Sequence, residues 1–203
     1  MALEQIERKK MKTTIFSTPL LTPFLRLITK IVLFIIGWRV EGNLPDLPKF
    51  VWVGAPHTSN WDFMLMLALG LSLHAKLQYM GKAELFRQPF GFFFYWCGGI
   101  PVERSKSTGM VEQMANVIQN SKEFILAIAP EGTREQVYKW KSGFYHIAKS
   151  AEVPIVLGFV DAKRKVIGIG KVFALTDNMD TDMQSIQAFY ARLDGINPQQ
   201  VNS

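Results

Sequence analysis

The sequence predicts an α/β domain, a mixed and largely buried sheet flanked by helices, with an amphipathic helix ahead of it. Three observations lead there. The chain has 203 residues, which suits one domain with a sizeable core. Hydrophobic residues make up 48% and charged residues 20%, at the apolar end for a globular protein. From Glu41 onward, short strand-like runs alternate with helical patterns, as in layered α/β proteins.

Residues 1–19 carry a basic cluster at Arg8, Lys9, Lys10 and Lys12 and are expected to be poorly ordered or surface-bound. Residues 20–38 are strongly apolar but include Pro23, Arg26 and Lys30. As one helix they would span about 28 Å, barely a hydrocarbon core, with two cations inside it. Arg26 and Lys30 share a face, so an amphipathic helix lying at a membrane interface fits better than a spanning one. The upstream cations would add attraction to anionic lipid. A core helix packed on its own domain is the competing expectation. The stretch is too long for a signal-peptide core and runs into Trp38-Arg39-Val40-Glu41 without a small-residue cleavage site.

Strands are predicted at residues 50–55, 77–81, 100–102, 124–129, 155–160 and 166–169, and helices at 61–73, 109–119, 142–150 and 182–193. Val111, Met114 and Ile118 line one face of the second of these helices. Met183, Ile186, Phe189, Tyr190 and Leu193 line one face of the last. The organisation expected is a membrane-association segment over 1–40, the main domain over 41–195 and a frayed tail to residue 203.

A formal net charge of +6 and a pI near 9.4 fit an anionic membrane surface, a phosphate-bearing substrate or an acidic carrier protein. Nucleic acid fits worst, because the aromatics cluster with apolar residues rather than interleaving with Lys and Arg. Cys97 is the single cysteine, so no intramolecular disulfide can form and a reducing compartment is expected. Gly168-Ile169-Gly170 lacks the third glycine of a dinucleotide fingerprint, and no G-x-S-x-G elbow is present.

The chemistry is concentrated in Ala55-Pro56-His57-Thr58-Ser59-Asn60-Trp61-Asp62-Phe63. Five residues along one helix would turn the His57 and Asp62 side chains about 140° apart. They meet only if His57 lies in the turn before the helix and Asp62 in its first turn. Pro56 ends the preceding strand, Ser59 or Asn60 can cap the helix, and a carboxylate is favoured near a helix N-terminus. Asp62 could then hold the imidazole in one tautomer, leaving its other nitrogen to accept a proton.

Two further segments carry charged residues beside extended runs: Gly98-Gly99-Ile100-Pro101-Val102-Glu103-Arg104 and Ala129-Pro130-Glu131-Gly132-Thr133-Arg134. With Val153-Pro154-Ile155-Val156, these four segments resemble, in order, the motif blocks of the glycerolipid acyltransferase family, whose best-known members are bacterial 1-acyl-glycerol-3-phosphate acyltransferases. The resemblance runs from about Gly42 to Val160. It departs from the family at Leu157, where the fourth block often ends in proline. The resemblance implies His57 as general base, Asp62 as its orienting partner, and Arg104, Glu131, Gly132, Thr133 and Arg134 as acceptor-binding residues. Guanidinium suits phosphate because its planar fork matches two oxygens. Acyl-CoA or acyl carrier protein would supply the acyl group, with no metal and no further cofactor. The acceptor would be a lysophospholipid, and the place of work the cytoplasmic face of the cell membrane. Six aromatics between Phe90 and Trp96 offer an acyl-chain wall, a face dipping into lipid, or a core turn. The rival classes are a metal-dependent hydrolase built on His57, Asp62 and Glu131, and a non-enzymatic lipid-binding module.

Overall fold

The structure, a computed structural model, describes residues 13–102, 109–133, 140–176 and 178–197. Among them seven strands form one sheet: β1 (Arg39–Glu41), β2 (Lys49–Ala55), β3 (Leu77–Lys82), β4 (Gly99–Val102), β5 (Phe124–Ile128), β6 (Ile155–Asp161) and β7 (Val166–Phe173). Their order across the sheet is β1-β7-β6-β2-β5-β3-β4. All neighbours pair parallel except β6 and β7, whose antiparallel hairpin makes the sheet mixed. The six predicted strands are all present. The three-residue β1 adds a seventh, too short to give a hydrophobic period.

The helices are α1 (Leu21–Ile36), α2 (Trp61–Ser72), α3 (Gly91–Trp96), α4 (Met110–Asn120), α5 (Gly143–Ala151) and α6 (Met179–Tyr190). Side chains alternate along β2 and divide the core in two. Val51, Val53 and Ala55 pack with α4, α5 and α6, and Phe50 and Trp52 pack on the face covered by α1 and α2. Met114 and Ile118 of α4, and Ile186 and Tyr190 of α6, are buried as their spacing predicted. The Tyr190 hydroxyl lies 2.8 Å from the Val53 carbonyl and 3.0 Å from that of Gly158, stitching β2 to β6 beside the site.

The N-terminal region differs from expectation in one respect. Ile15 and Phe16 are core residues, not part of a loose arm; residues 1–12, with the basic cluster, lie outside the described residues. Helix α1 forms where it was predicted and turns most of its apolar side chains outward. Thr22 and Leu33 are buried, and Arg26 is half-buried with a buried Nε that has no hydrogen-bond partner among the described residues. Phe24, Leu27, Phe34 and Ile35 face outward, Phe34 84% exposed and Ile35 73%. The helix is held to the domain at both ends. The Thr22 hydroxyl donates to the Ile15 carbonyl at 3.0 Å, and Lys165 Nζ donates to the Ile36 carbonyl at 3.1 Å. No described helix is long and apolar enough to cross a membrane.

The aromatic segment forms α3, with its first-turn residue Gly91 wedged so closely under Phe86 that a Cβ would strike the Phe86 carbonyl. Phe90 and Phe92 are exposed, whereas Phe94 reaches inward to Phe63, ring centroids 6.5 Å apart. The segment is therefore a surface aromatic ridge, not a core turn. The frayed-tail expectation also fails at its beginning, since Ile196 packs against the core face of α1 and α2.

Candidate active site

Parallel pairing of β2 with β5 places their C-terminal loops side by side, with Val53 opposite Ile128. The first loop carries His57 and leads into α2, which begins with Trp61 and Asp62; the second carries Glu131 and Gly132. His57 precedes α2 and Asp62 is its second residue, the arrangement that the five-residue spacing demanded. His57 Nδ1 lies 3.2 Å from Asp62 Oδ2. The same oxygen accepts the backbone N–H groups of Thr58 and Ser59, each at 2.7 Å. Asn60 stands at the N-cap position, and the Ser59 Oγ just ahead of it accepts the Trp61 N–H at 3.2 Å. Asp62 is 7% exposed and His57 28%, so the carboxylate is sealed behind a ring that solvent or substrate can reach. With Nδ1 engaged, Nε2 is the nitrogen available for proton transfer.

Glu131 stands behind the histidine. The His57 backbone N–H donates to both of its carboxylate oxygens, at 3.2 and 3.0 Å. Burial pushes the Glu131 carboxyl up to about 7, against the opposing pull of the His57 N–H and imidazole. The structure thus places Glu131 on the backbone of the proposed base. Glu131 is not among the residues that line the cavity. Gly132 does line it, at φ +67°, a left-handed conformation that favours glycine. Lys141 lies across it, so near that a Cβ on Gly132 would come 3.0 Å from the ammonium nitrogen. Thr133 is half-exposed at the end of the described part of this loop. Arg104 and Arg134 lie outside the described residues.

The cavity has a volume of about 420 Å³, within the roughly 300–1,000 Å³ of small-molecule sites. His57, Asp62 and Lys141 bring polar groups to it, while Trp52, Leu69, Phe144 and Ile147 show how far it extends into the apolar interior on both sides of the sheet. At Gly54 a Cβ would meet nothing within 4 Å, so the missing side chain leaves open space. Near the same loop, Trp61 and Met64 are exposed on α2. Leu157, the departure from the family pattern, is buried in β6 and does not line the cavity. Cys97 is buried and its thiol is pushed up to about 12 by burial, a poor nucleophile.

An imidazole oriented by a buried carboxylate beside an apolar cavity, at the C-terminal ends of parallel strands, has the geometry to move a proton next to an apolar ligand. The Acyltransferase family matches residues 38–156, and the chain belongs to it. Among solved structures, the fold is similar to the 1-acyl-sn-glycerophosphate (LPA) acyltransferase PlsC from Thermotoga maritima. The TM-score is 0.55 at 19% identity, covering 86% of this chain and 82% of that one. No curated protein matches the chain.

Lys141 escaped sequence reasoning because the contact that places it, its backbone N–H on the Pro130 carbonyl at 2.9 Å, leaves no pattern in the chain. The Glu131 carboxyl carries a direct consequence for stability. In the folded state it binds its proton near pH 7, against an ordinary value of 4.5. The folded chain therefore holds more protons between these limits, and this group makes stability fall as pH rises through that window. Glu131→Gln is expected to remove the effect, on the order of 2–3 kcal/mol between pH 5 and 8. Urea denaturation of both proteins at the two pH values checks it; parallel pH profiles would contradict it.

Proposed function

We propose that the enzyme transfers a fatty acyl group from acyl-CoA or acyl carrier protein to the free hydroxyl of a lysophospholipid, with 1-acyl-glycerol-3-phosphate as the leading acceptor, in phospholipid synthesis at the cytoplasmic face of the membrane. The observation that carries this reading is the His57–Asp62 pair at 3.2 Å, opening on the apolar cavity. As the acceptor oxygen attacks the thioester carbonyl, His57 Nε2 takes the hydroxyl proton, so no free alkoxide forms. Asp62 stabilises the imidazolium. Collapse of the tetrahedral intermediate breaks the carbon–sulfur bond, and the departing thiolate takes the proton from His57. The acyl chain would occupy the apolar cavity, past Gly54. Lys141 adds a cation to that cavity. Arg104 and Arg134 each follow by two positions a residue that lines it, Val102 and Gly132, and are assigned to the acceptor's phosphate together with Thr133. Supplying purified protein with labelled acyl-CoA and a panel of lysolipids tests the substrate assignment.

The outward apolar face of α1, with exposed Trp61 and the α3 ridge, supports docking on a lipid surface, where the acceptor resides.

Four outcomes are expected. His57→Ala loses at least about 10²-fold in turnover with the fold intact. Asp62→Asn loses as much or less, because it acts through His57; near-normal turnover in His57→Ala would sink the mechanism. Arg104→Ala lowers kcat/KM on lysophosphatidate roughly 10- to 150-fold, the equivalent of one charge-assisted contact of about 1.5–3 kcal/mol. It should do much less on an uncharged monoacylglycerol, and equal losses on both would remove phosphate recognition from Arg104. Replacing Phe34 and Ile35 together by Glu should weaken binding to anionic vesicles at least about tenfold, since each buried side chain contributes about 1.5–3 kcal/mol. Co-sedimentation reads this, and unchanged binding would exclude α1 as the docking face.

A further inference from the structure

We propose that Asn197 is a positioning residue for the catalytic base, acting through Thr58. This rests on the assignment of His57 as general base. Thr58, between His57 and Asp62 in the loop, is 2% exposed. Its N–H donates to Asp62 Oδ2. Its other polar atoms reach across 139 positions to the segment after α6: the Asn197 N–H donates to Thr58 Oγ1 at 3.1 Å, and Asn197 Nδ2 donates to the Thr58 carbonyl at 2.8 Å. The segment that delivers Asn197 is itself fixed. The Ala162 N–H, one residue beyond β6, donates to the Asp194 carbonyl at 2.7 Å, and Ile196 packs against the core.

The consequence follows from the geometry of one residue and the two peptides that flank it. The Thr58 N–H sets where Asp62 Oδ2 sits, and that oxygen is the one facing His57 Nδ1. The Thr58 carbonyl lies on the far side of the same residue and accepts from Asn197. Two partners hold the residue on either side, so its rotation, which would swing Asp62 off the imidazole, is opposed. A loop of this kind, joining a strand to a helix, has no sheet ladder to fix it. Small displacements of a catalytic group are costly in rate. Asn197 touches neither substrate nor the reacting atoms, and its effect runs entirely through the orientation of the His57–Asp62 pair.

Asn197→Ala removes the amide donor and keeps the backbone donor to Thr58 Oγ1. Asn197→Asp, nearly isosteric, turns an acceptor toward the Thr58 carbonyl. Both are expected to lower kcat per folded molecule about tenfold, with KM for donor and acceptor changed by less than about twofold. Histidine ring N–H resonances are compared in the full chain, with His57→Ala identifying the His57 signal. The Nδ1–H signal should be sharp in the wild type, and broadened or lost in both variants while the melting temperature changes little. This arm does not require turnover, so a wrong acceptor or a wrong base assignment leaves it intact and shows separately as an inactive wild type or an active His57→Ala. Unchanged kcat and an unchanged Nδ1–H signal in a folded variant would overturn the proposal. A lower melting temperature with kcat per folded molecule preserved would also overturn it, since Asn197 would then hold only the tail. Either variant alone decides the question if the other does not fold.

Discussion

Two carboxylates hold three consecutive backbone amides at the head of α2, and the geometry of the site depends on that arrangement. The N–H of His57 goes to Glu131, and those of Thr58 and Ser59 go to Asp62. These amides leave the β2 ladder and have not entered the helix, so neither regular element can satisfy them. Acidic side-chain oxygens do so, and an ionised one makes a stronger bond than a neutral one. The reciprocal effect matters equally. Asp62 is nearly sealed from water, and the two amides together with the helix N-terminus offset the cost of burying its charge. Only then does it have a lone pair placed for the imidazole. Its second oxygen, Oδ1, is buried without a hydrogen-bond partner among the described residues, which concentrates the interaction on Oδ2.

The parallel sheet makes this convergence possible between residues far apart in the chain. β2, β3, β4 and β5 run in one direction, so the loops after their C-terminal ends open on the same edge. Val102 from β4, Met80 from β3, Gly132 after β5 and His57 after β2 all face one cavity. Ligands of open α/β sheets lie outside the carboxyl ends of the strands for this reason. Here the cavity also continues inward past Gly54, where the central strand lacks a side chain. Polar chemistry at the strand ends and apolar volume beneath it are two consequences of one topology.

Much of this was legible in the sequence, and the rest was not for identifiable reasons. The six longer strands and the helices α2, α4, α5 and α6 carry enough apolar periodicity to be placed within a few residues. His57 and Asp62 were legible because their spacing is incompatible with a shared helix face and compatible with a strand–turn–helix. β1 has three residues and α3 has six, too few for a period to develop. The role of Glu131 was invisible because its partner is a backbone N–H 74 positions away, and the backbone leaves no signature in the sequence. The same holds for Asn197, whose ties to Thr58 turned an expected loose tail into part of the loop's support. The orientation of α1 was not legible for a different reason. A helical wheel identifies opposed faces but does not say which one meets the protein.

The outward apolar face of α1 bears on how the site is reached. A helix that turns Thr22 and Arg26 inward and Phe24, Leu27, Phe34 and Ile35 outward sacrifices apolar burial in the isolated chain. The helix nevertheless stays docked, with Lys165 on the Ile36 carbonyl and the segment before it tied to α3 through Trp96 Nε1 and Thr18 Oγ1 at 3.0 Å. Fixing it in that orientation makes sense if the outward face has an apolar partner. A lipid surface is such a partner, and on the proposed substrate it would also be the reservoir of acceptor. Exposed Trp61 stands one residue from Asp62, and the rings of α3 lead through Phe94 and Phe63 to the cavity wall. The apolar surface and the cavity are then joined by side chains of one chemical character. A lysolipid could keep its acyl chain in lipid while its hydroxyl reached His57 Nε2, avoiding transfer of that chain through water, a step that opposes catalysis by about 0.8 kcal/mol for each CH₂ exposed.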